Sequence, residues 1–210
     1  MTDSVDAGEF GSWLQLILAS FAGRGGSDVP CGSCRACCQS SQFVLVRPED
    51  RAALAVIPAA LLVKAPGDDT GARVMGFGED GACPMMRARE CTIYASRPQT
   101  CRDYDCRVFA AAGIDAGGPR KEAINERVRG WRFRYASAQA RAQHEAVRAA
   151  ARFIATHAGA FPGGRVPNAP SGIAVLALHV HPVFLRPDIA TLAPADIAAA
   201  IVRARRRNPV

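Results

Sequence analysis

All eight cysteines of this 210-residue chain lie within one stretch of 76 residues, and the remaining residues contain none. The stretch begins with C-G-S-C-R-A-C-C and ends with C-P-M-M-R-A-R-E-C-T-I-Y-A-S-R-P-Q-T-C-R-D-Y-D-C. Its cysteines are Cys31, Cys34, Cys37, Cys38, Cys83, Cys91, Cys101 and Cys106. Thiolates at such close spacing repel one another unless a cation or an oxidant removes the repulsion. The pattern therefore predicts that all eight residues belong to a metal or iron–sulfur site.

The cellular compartment decides between metal ligands and disulfides. Residues 1–20 contain three acids and no Lys or Arg, whereas a secretory signal needs a basic start. The apolar run from Trp13 to Phe21 is also too short to span a bilayer. We therefore expect a cytoplasmic protein without membrane association. Thiols in the cytoplasm stay reduced, so clustered cysteines there favour a metal site.

The cysteine spacing leaves more than one kind of metal site open. Thiolates are soft anionic ligands that suit both zinc and cluster iron. The steps of three residues that join Cys31, Cys34 and Cys37 match the bacterial ferredoxin run, but Cys38 breaks that register. A zinc ribbon would need a second Cys-x-x-Cys knuckle further along the chain. Eight thiols suffice for two four-cysteine sites, or for one centre plus structural cysteines. We expect an iron–sulfur cluster, of the 4Fe–4S type, with zinc as the alternative, and expect the adjacent Cys37 and Cys38 to point apart.

A family resemblance follows from several motifs in order. The chain has C-x-x-C-x-x-C-C, a short strand with a Pro-Glu-Asp helix start, then C-P and C-x-I-Y-x-x-R-P-x-x-C-R-x-Y-x-C. Over about residues 28–110 this resembles the YkgJ family, the "CxxCxxCC" zinc- or iron-chelating domain. The resemblance implies a metal-chelating domain. A related cysteine cluster occurs in the flagellin lysine N-methylase, which uses S-adenosylmethionine and an iron–sulfur centre, so an iron–sulfur-dependent modifying or redox enzyme is the alternative function.

Cationic and aromatic side chains lie among the last cysteines and are candidate cofactor-binding residues. Arg97 and Arg102, with Arg107 further on, could offset the negative charge of a thiolate centre and tune its potential. The alternative is that they form ordinary ion pairs with neighbouring acids. Tyr94 and Tyr104 are expected to pack beside the centre and to form hydrogen bonds directed away from it.

The second half of the chain is more basic than the first, which indicates the kind of partner that could bind there. Residues 1–106 hold 10 Lys/Arg and 13 Asp/Glu, while residues 107–210 hold 16 and 6. The basic half raises an acidic protein or a nucleic acid as partner. The run from Arg127 to Tyr135 interleaves arginines and aromatics, which suits a zinc-dependent nucleic-acid-binding module, the second alternative function. Because its apolar spacing fits a helix, we favour core aromatics with a solvated basic face.

The predicted fold class is α+β and mostly helical. It comprises an N-terminal helix in residues 1–24, an irregular metal-organised domain with a small β-sheet in 25–110, and a mainly helical extension packed on it in 111–210. Strands are expected at 43–46 and 73–77, paired with each other, and at 173–180. Helices are expected at 48–56, along the face from Ile124 to Tyr135, at 138–158 and from Pro194.

The four histidines are not predicted to bind metal. His144 and His157 are expected on the solvent side of a helix. His179 and His181 would alternate on one face of the predicted strand at 173–180, a spacing that can hold a metal. Because no carboxylate or cysteine lies near them in the sequence, a hydrogen-bonded or surface pair is favoured.

Overall fold

The computed structural model describes residues 4–27, 29 and 31–207. It is 53% helical with only small sheets, which confirms the mostly helical α+β class. The chain divides into two compact units. Unit 1 consists of Met1–Gly25, Cys106–Gly117 and Glu126–Val210; unit 2 consists of Gly26–Asp105 and Gly118–Asn125. The three-part division expected from the sequence stays a prediction, and it includes residues 1–3, 28, 30 and 208–210, which lie outside the described residues.

Helices and strands alternate irregularly along the chain. The helices are α1 (Phe10–Phe21), α2 (Arg51–Val56), α3 (Gln99–Asp103), α4 (Arg107–Ala112), α5 (Glu122–Gly130), α6 (Ala138–Thr156), α7 (Pro170–Val180) and α8 (Pro194–Arg207). The strands are β1 (Val5–Glu9), β2 (Val44–Val46), β3 (Leu62–Lys64), β4 (Arg73–Met75), β5 (Met86–Arg87), β6 (Glu90–Cys91) and β7 (Trp131–Arg134). None of the helices in the described part of the chain has the length and apolar composition needed to cross a membrane.

Unit 1 begins with a strand that leads directly into α1. The strand β1 pairs in parallel with β7, with Val5 opposite Trp131. The Glu9 carboxylate then caps α1 by accepting hydrogen bonds from the backbone N–H of Gly11 (2.9 Å) and Ser12 (2.6 Å). The apolar residues of α1 that recur at helical spacing are mostly buried: Phe10, Trp13, Leu14 and Ile17 are buried, while Phe21 is half-buried. The strand before it was missed, because its partner lies more than a hundred residues away in the sequence.

Helices α4, α6 and α7 form the packed centre of unit 1. The four side chains of α6 predicted to face inward are buried; they are Val147, Ala150, Ala151 and Ile154. The strand predicted at 173–180 is wrong, since these residues lie in α7. An unbroken apolar run has no period that separates a buried strand from a buried helix. Pro170 stands in the first turn, a position where its missing N–H costs nothing.

The helical face predicted from Ile124 to Tyr135 is only half correct. Ile124 and Val128 lie on α5 and are buried, but α5 ends at Gly130 and Trp131 begins β7. Glycine is a poor helix former, and the following residues gain backbone hydrogen bonds by pairing with β1. Helix α5 spans the boundary between the two units.

Unit 2 is built on a three-stranded antiparallel sheet with the order β2-β4-β3. The predicted pairing of β2 with β4 is confirmed, with Val44 opposite Met75, while β3 was missed. Helix α2 begins at Arg51 instead of Pro48. Residues 47–50 form a turn in which the Asp50 carboxylate accepts the N–H of Arg47 at 2.9 Å. A small buried cluster lies under this sheet; it contains Val44, Val46, Ala53, Ile57, Met75 and Ile93.

Candidate metal centre

The first cysteine segment, residues 31–38, is a tight turn followed by a short 3₁₀ helix. The N–H of Cys34 donates to the carbonyl of Cys31 at 2.9 Å. Gly32 stands between them at φ +54°, a conformation that glycine adopts without strain. The Arg35 guanidinium closes the turn, because its Nη1 donates to the carbonyls of Gly32 (3.1 Å) and Cys34 (2.8 Å). The short helix at Cys37–Gln39 then directs the last two thiols of the motif.

The second segment uses a hairpin and a helical turn to carry its cysteines. Strands β5 and β6 pair antiparallel, with Cys91 opposite Met86. Two residues at positive φ, Ala88 (+48°) and Arg89 (+64°), form the turn between them. Cys83 precedes the hairpin, and its carbonyl accepts the N–H of Met86 at 2.9 Å. Cys101 follows on α3.

Hydrogen bonds within unit 2 hold the two cysteine segments together. The backbone N–H of Cys83 donates to the carbonyl of Cys38 at 2.7 Å. The N–H of Ser41 donates to the carbonyl of Gly81 at 2.9 Å. Asp50 adds a third link, since its Oδ1 accepts the N–H of Gln99 (2.8 Å) at the start of α3. Two backbone hydrogen bonds and one bond to the Asp50 side chain therefore hold the two segments close to each other.

The segments enclose one cavity of about 190 Å³. Seven cysteines contribute to its wall: Cys31, Cys34, Cys37, Cys38, Cys83, Cys91 and Cys101. None of the eight cysteines, which all lie in the described part of the chain, forms a disulfide. The eighth, Cys106, belongs to unit 1, where it is buried and its sulfur accepts a hydrogen bond from Trp131 Nε1 at 3.2 Å.

One pair of sulfurs in the cavity wall is close. Cys37 Sγ and Cys38 Sγ lie 4.0 Å apart, so the expectation that these two side chains point apart is wrong. A tetrahedral zinc ion holds its sulfur ligands at about 2.3 Å, and hence about 3.8 Å from one another, which is near the spacing of this pair. Among the described residues, no three His, Cys, Asp or Glu side chains form a ready-made site for one ion.

The thiols influence one another electrostatically. A hydrogen bond from Cys37 and the nearby Arg35 cation lower the pKa of Cys38 to about 7, while the same hydrogen bond raises the pKa of Cys37. Burial raises the pKa of Cys101 to about 12, and the charges of Cys38, Cys83 and Cys91 add to this effect. Thiols with raised pKa values stay protonated at neutral pH unless a cation compensates for their charge. These thiols therefore favour a positively charged occupant of the cavity.

The four predicted cofactor-binding side chains all contribute to the cavity wall. Arg97 stacks 4.0 Å over the Tyr94 ring and donates to the Tyr94 carbonyl at 2.8 Å. Arg102 donates through Nε to the Arg97 carbonyl at 3.1 Å. Neither arginine forms an ion pair within the described residues. Tyr104 accepts a hydrogen bond from Gln42 Nε2 at 3.2 Å.

Arg107 has a different setting from the other two arginines. It lies in unit 1, where it is buried and its Nη1 donates to the Ala7 carbonyl at 3.2 Å. Its guanidinium carbon is 5.9 Å from the Trp13 ring centroid and 6.0 Å from that of Trp131. Arg107 therefore stabilises the packing of unit 1.

Two residues of the cavity wall were missed by the sequence analysis. Arg35 and Thr100 each have a buried side-chain atom, Nε and Oγ1, without a hydrogen-bond partner in the described part of the chain. The only signal for Arg35 was its position inside the first cysteine motif. Thr100 precedes Cys101, and nothing in its sequence context indicates a polar function.

The histidine predictions are partly wrong. His144 is buried, not solvent-facing; it stacks on Phe10 with ring centroids 4.3 Å apart, and its Nδ1 is 2.7 Å from the Tyr135 hydroxyl. His179 lies in the last turn of α7, and His181 follows in a 3₁₀ turn, so they do not alternate on a strand. Each Nδ1 lies 2.8 Å from a backbone carbonyl, as the favoured hydrogen-bonded interpretation expects.

The basic and aromatic run from Arg127 to Tyr135 has its large rings packed in unit 1. Trp131 is 4% exposed, and the Phe133 ring lies 4.8 Å from that of Trp13. Arg129, Arg132 and Arg134 are exposed. Base stacking needs accessible rings, so the structure favours core aromatics with a solvated basic face.

Free thiols from two linked segments around one cavity are typical of cysteine-rich metal-binding domains. Residues 30–127 match the family described as "CxxCxxCC: Putative zinc- or iron-chelating domain". The matched range contains all eight cysteines and the residues of unit 2 that follow them. No curated protein and no solved structure matches the chain.

Proposed function

We propose that the chain is a cytoplasmic metal-binding protein whose unit 2 holds an iron–sulfur cluster, of the 4Fe–4S type. The observation that carries the proposal is the convergence of seven cysteines, none of them in a disulfide, on one cavity of about 190 Å³. Both cysteine segments contribute, so the ligands are drawn from each. Cys106 is proposed to be a structural thiol of unit 1, because its sulfur already accepts the Trp131 N–H.

The cysteine pattern supports a cluster over a single zinc ion. The steps of three residues from Cys31 to Cys37 match the bacterial ferredoxin run, and no second Cys-x-x-Cys knuckle follows in the chain, as a zinc ribbon would need. Seven cysteines line one common space, which supports a shared occupant. A bound cluster would supply a centre that gains and loses one electron, with a potential set by charge and hydrogen bonds around it.

The chain's own residues fit such an anionic group. The Arg35 cation helps to lower the pKa of Cys38, and the Arg97 cation opposes the rise in the pKa of Cys101, so both can offset negative charge. Arg102 would add a further cation beside Arg97. Tyr94 and Tyr104 would cover the group, and Tyr104 is held by Gln42.

The thiols also support the proposed compartment. None of the eight cysteines forms a disulfide, although seven of them line a single cavity. In an oxidising compartment such neighbours form disulfides, while the cytoplasm keeps them reduced and available to metal. A cytoplasmic location is therefore part of the proposal.

Anaerobic purification followed by metal and sulfide analysis tests the function. We expect a brown protein with a broad absorption band toward the blue, and iron and acid-labile sulfide in equal amounts. A colourless protein with stoichiometric zinc would replace the cluster with the zinc alternative. A protein that takes up neither metal after anaerobic reconstitution would overturn the proposal.

A further inference from the structure

Two polar atoms in the wall of the cysteine cavity have no partner within the described residues. They are Arg35 Nε and Thr100 Oγ1, and each is shielded from solvent. Buried donors are almost always hydrogen-bonded in proteins, because an unsatisfied one has lost its water and gained nothing. Two such atoms on one cavity that also carries seven thiols indicate that both donate to the occupant of that cavity.

Arg35 is held in place by other parts of its own side chain. Its Nη1 donates to two carbonyls of the first cysteine turn, those of Gly32 and Cys34. The guanidinium is a rigid planar fork, so fixing one nitrogen restricts the direction in which the Nε–H points. Nη1 is therefore occupied by hydrogen bonds to the turn, and the Nε–H remains available for another acceptor.

Thr100 lies on α3 beside Cys101. A helical threonine commonly donates its hydroxyl to the carbonyl one turn earlier. Thr156 of α6 does so, with Oγ1 at 2.9 Å from the Arg152 carbonyl. Thr100 has no such bond among the described residues, and its hydroxyl can rotate toward the cavity.

We propose that Arg35 and Thr100 are positioning residues of the metal centre, with the Nε–H of Arg35 and the hydroxyl of Thr100 donating to its sulfur atoms. The inference rests on the proposed metal binding. Sulfur that bears metal remains electron-rich and accepts hydrogen bonds, and such bonds orient the ligands and strengthen metal retention. The sulfur can be a cysteine thiolate or an inorganic sulfide, so the proposal holds for either metal.

Thr100 offers a test that separates donation from packing. Thr100→Val keeps the size of the side chain and removes the hydroxyl, whereas Thr100→Ser keeps the hydroxyl and removes the methyl group. We expect Thr100→Val to lose metal to an excess of chelator about 10-fold faster than the wild type, the low end of the effect of losing an outer-shell partner. Thr100→Ser should retain metal at nearly the wild-type rate. The reverse order would mean that only packing matters and would overturn the proposal.

Thr70→Val is the matched control. The Thr70 hydroxyl donates to Asp68 Oδ1 at 2.8 Å in an exposed loop of the same unit. Its loss should leave the metal-release rate unchanged, which excludes a general effect of replacing threonine by valine. If Thr100→Val also released metal at the wild-type rate, Thr100 would not be a donor to the centre.

Arg35 is tested by Arg35→Lys, which keeps the positive charge but lacks the Nε–H of the fork. We expect faster metal release than in the wild type and a shifted sulfur-to-metal absorption band, while Arg47→Lys, at an exposed position, leaves both unchanged. Wild-type rates and spectra for Arg35→Lys would remove Arg35 from the proposal. Failure of the wild-type chain itself to bind iron or zinc would instead overturn the proposed function.

Discussion

The two units of this protein differ in what can hold them together. Unit 1 buries long apolar helices, and residues such as Val147, Ala174 and Leu178 are completely inaccessible to solvent. Unit 2 has six buried hydrophobic residues in its main cluster, short strands and helices of five and six residues. Several of its cysteines pack against that cluster. From this difference we expect the packing of apolar side chains to suffice for unit 1, and the stability of unit 2 to depend on the metal that its thiols are proposed to bind.

The two units also differ in net charge. Unit 1 holds 15 Lys/Arg and 8 Asp/Glu, so it accounts for the whole net charge of +7. Unit 2 holds 11 of each. Because unit 2 has no excess of cations, the negative charge of its thiolates must be compensated locally, by a bound metal and by arginines of the cavity wall such as Arg35 and Arg97.

The largest effect is expected from loss of the metal centre. Replacing Cys101 by Ser, or removing the metal with a chelator, should unfold unit 2, because the free energy of binding, about 10 to 16 kcal/mol for a structural zinc, is also folding free energy. Hydrogen exchange should then show unprotected amides in β2 and β4, while the amides of α6 and α7 stay protected.

Cys106→Ser is the control from the other unit. It should keep the full metal content, since Cys106 lies in unit 1 and accepts the Trp131 N–H there. Equal protection of β2 and β4 before and after chelation would contradict the contrast between the units.

A smaller effect is expected from a cavity in the core of unit 1. Leu178→Ala removes a side chain of α7 that is 0% exposed, and should lower the free energy of unfolding of unit 1 by about 2 to 5 kcal/mol. The metal content should not change. Leu185→Ala, at a position that is 43% exposed, should cost less than about 0.5 kcal/mol. Chemical denaturation followed by helix content measures both variants, and metal loss in Leu178→Ala would show that the units are not independently stabilised.

The smallest of the three effects concerns pH and His144. Burial, with the nearby Arg148 cation, lowers the pKa of His144 to about 4, whereas an unfolded histidine titrates near 6.5. As the pH falls from 6.5 to 4, the unfolded chain binds a proton that the folded chain does not, so unit 1 loses at most about 3 kcal/mol of stability. His144→Gln cannot titrate and should lack this component. The test compares denaturation of the two proteins at pH 7 and pH 4.5; equal losses in both would show that His144 is not the group responsible.

Local patterns predicted the elements whose signal lies within one segment. The face of α1, the inward residues of α6 and the start of α8 at Pro194 follow from helical periodicity and capping chemistry. The pairing of β2 with β4 follows from two short β-forming runs separated by turns. Patterns failed in two places. The strand β7 pairs with the distant β1, and the apolar run of α7 has no period that separates a buried helix from a buried strand.

The sequence by itself determined that this chain concentrates its thiols and that residues 30–127 match the model of a zinc- or iron-chelating domain, because ligand chemistry and spacing follow from the order of residues. Tertiary structure alone decided which sulfurs meet. The backbone bond from Cys83 to Cys38 and the bond from Gln99 to Asp50 bring seven thiols to one cavity, and the same folding puts Arg35 and Thr100 into its wall. No local pattern carries such information, since each of these contacts joins residues that are far apart in the chain.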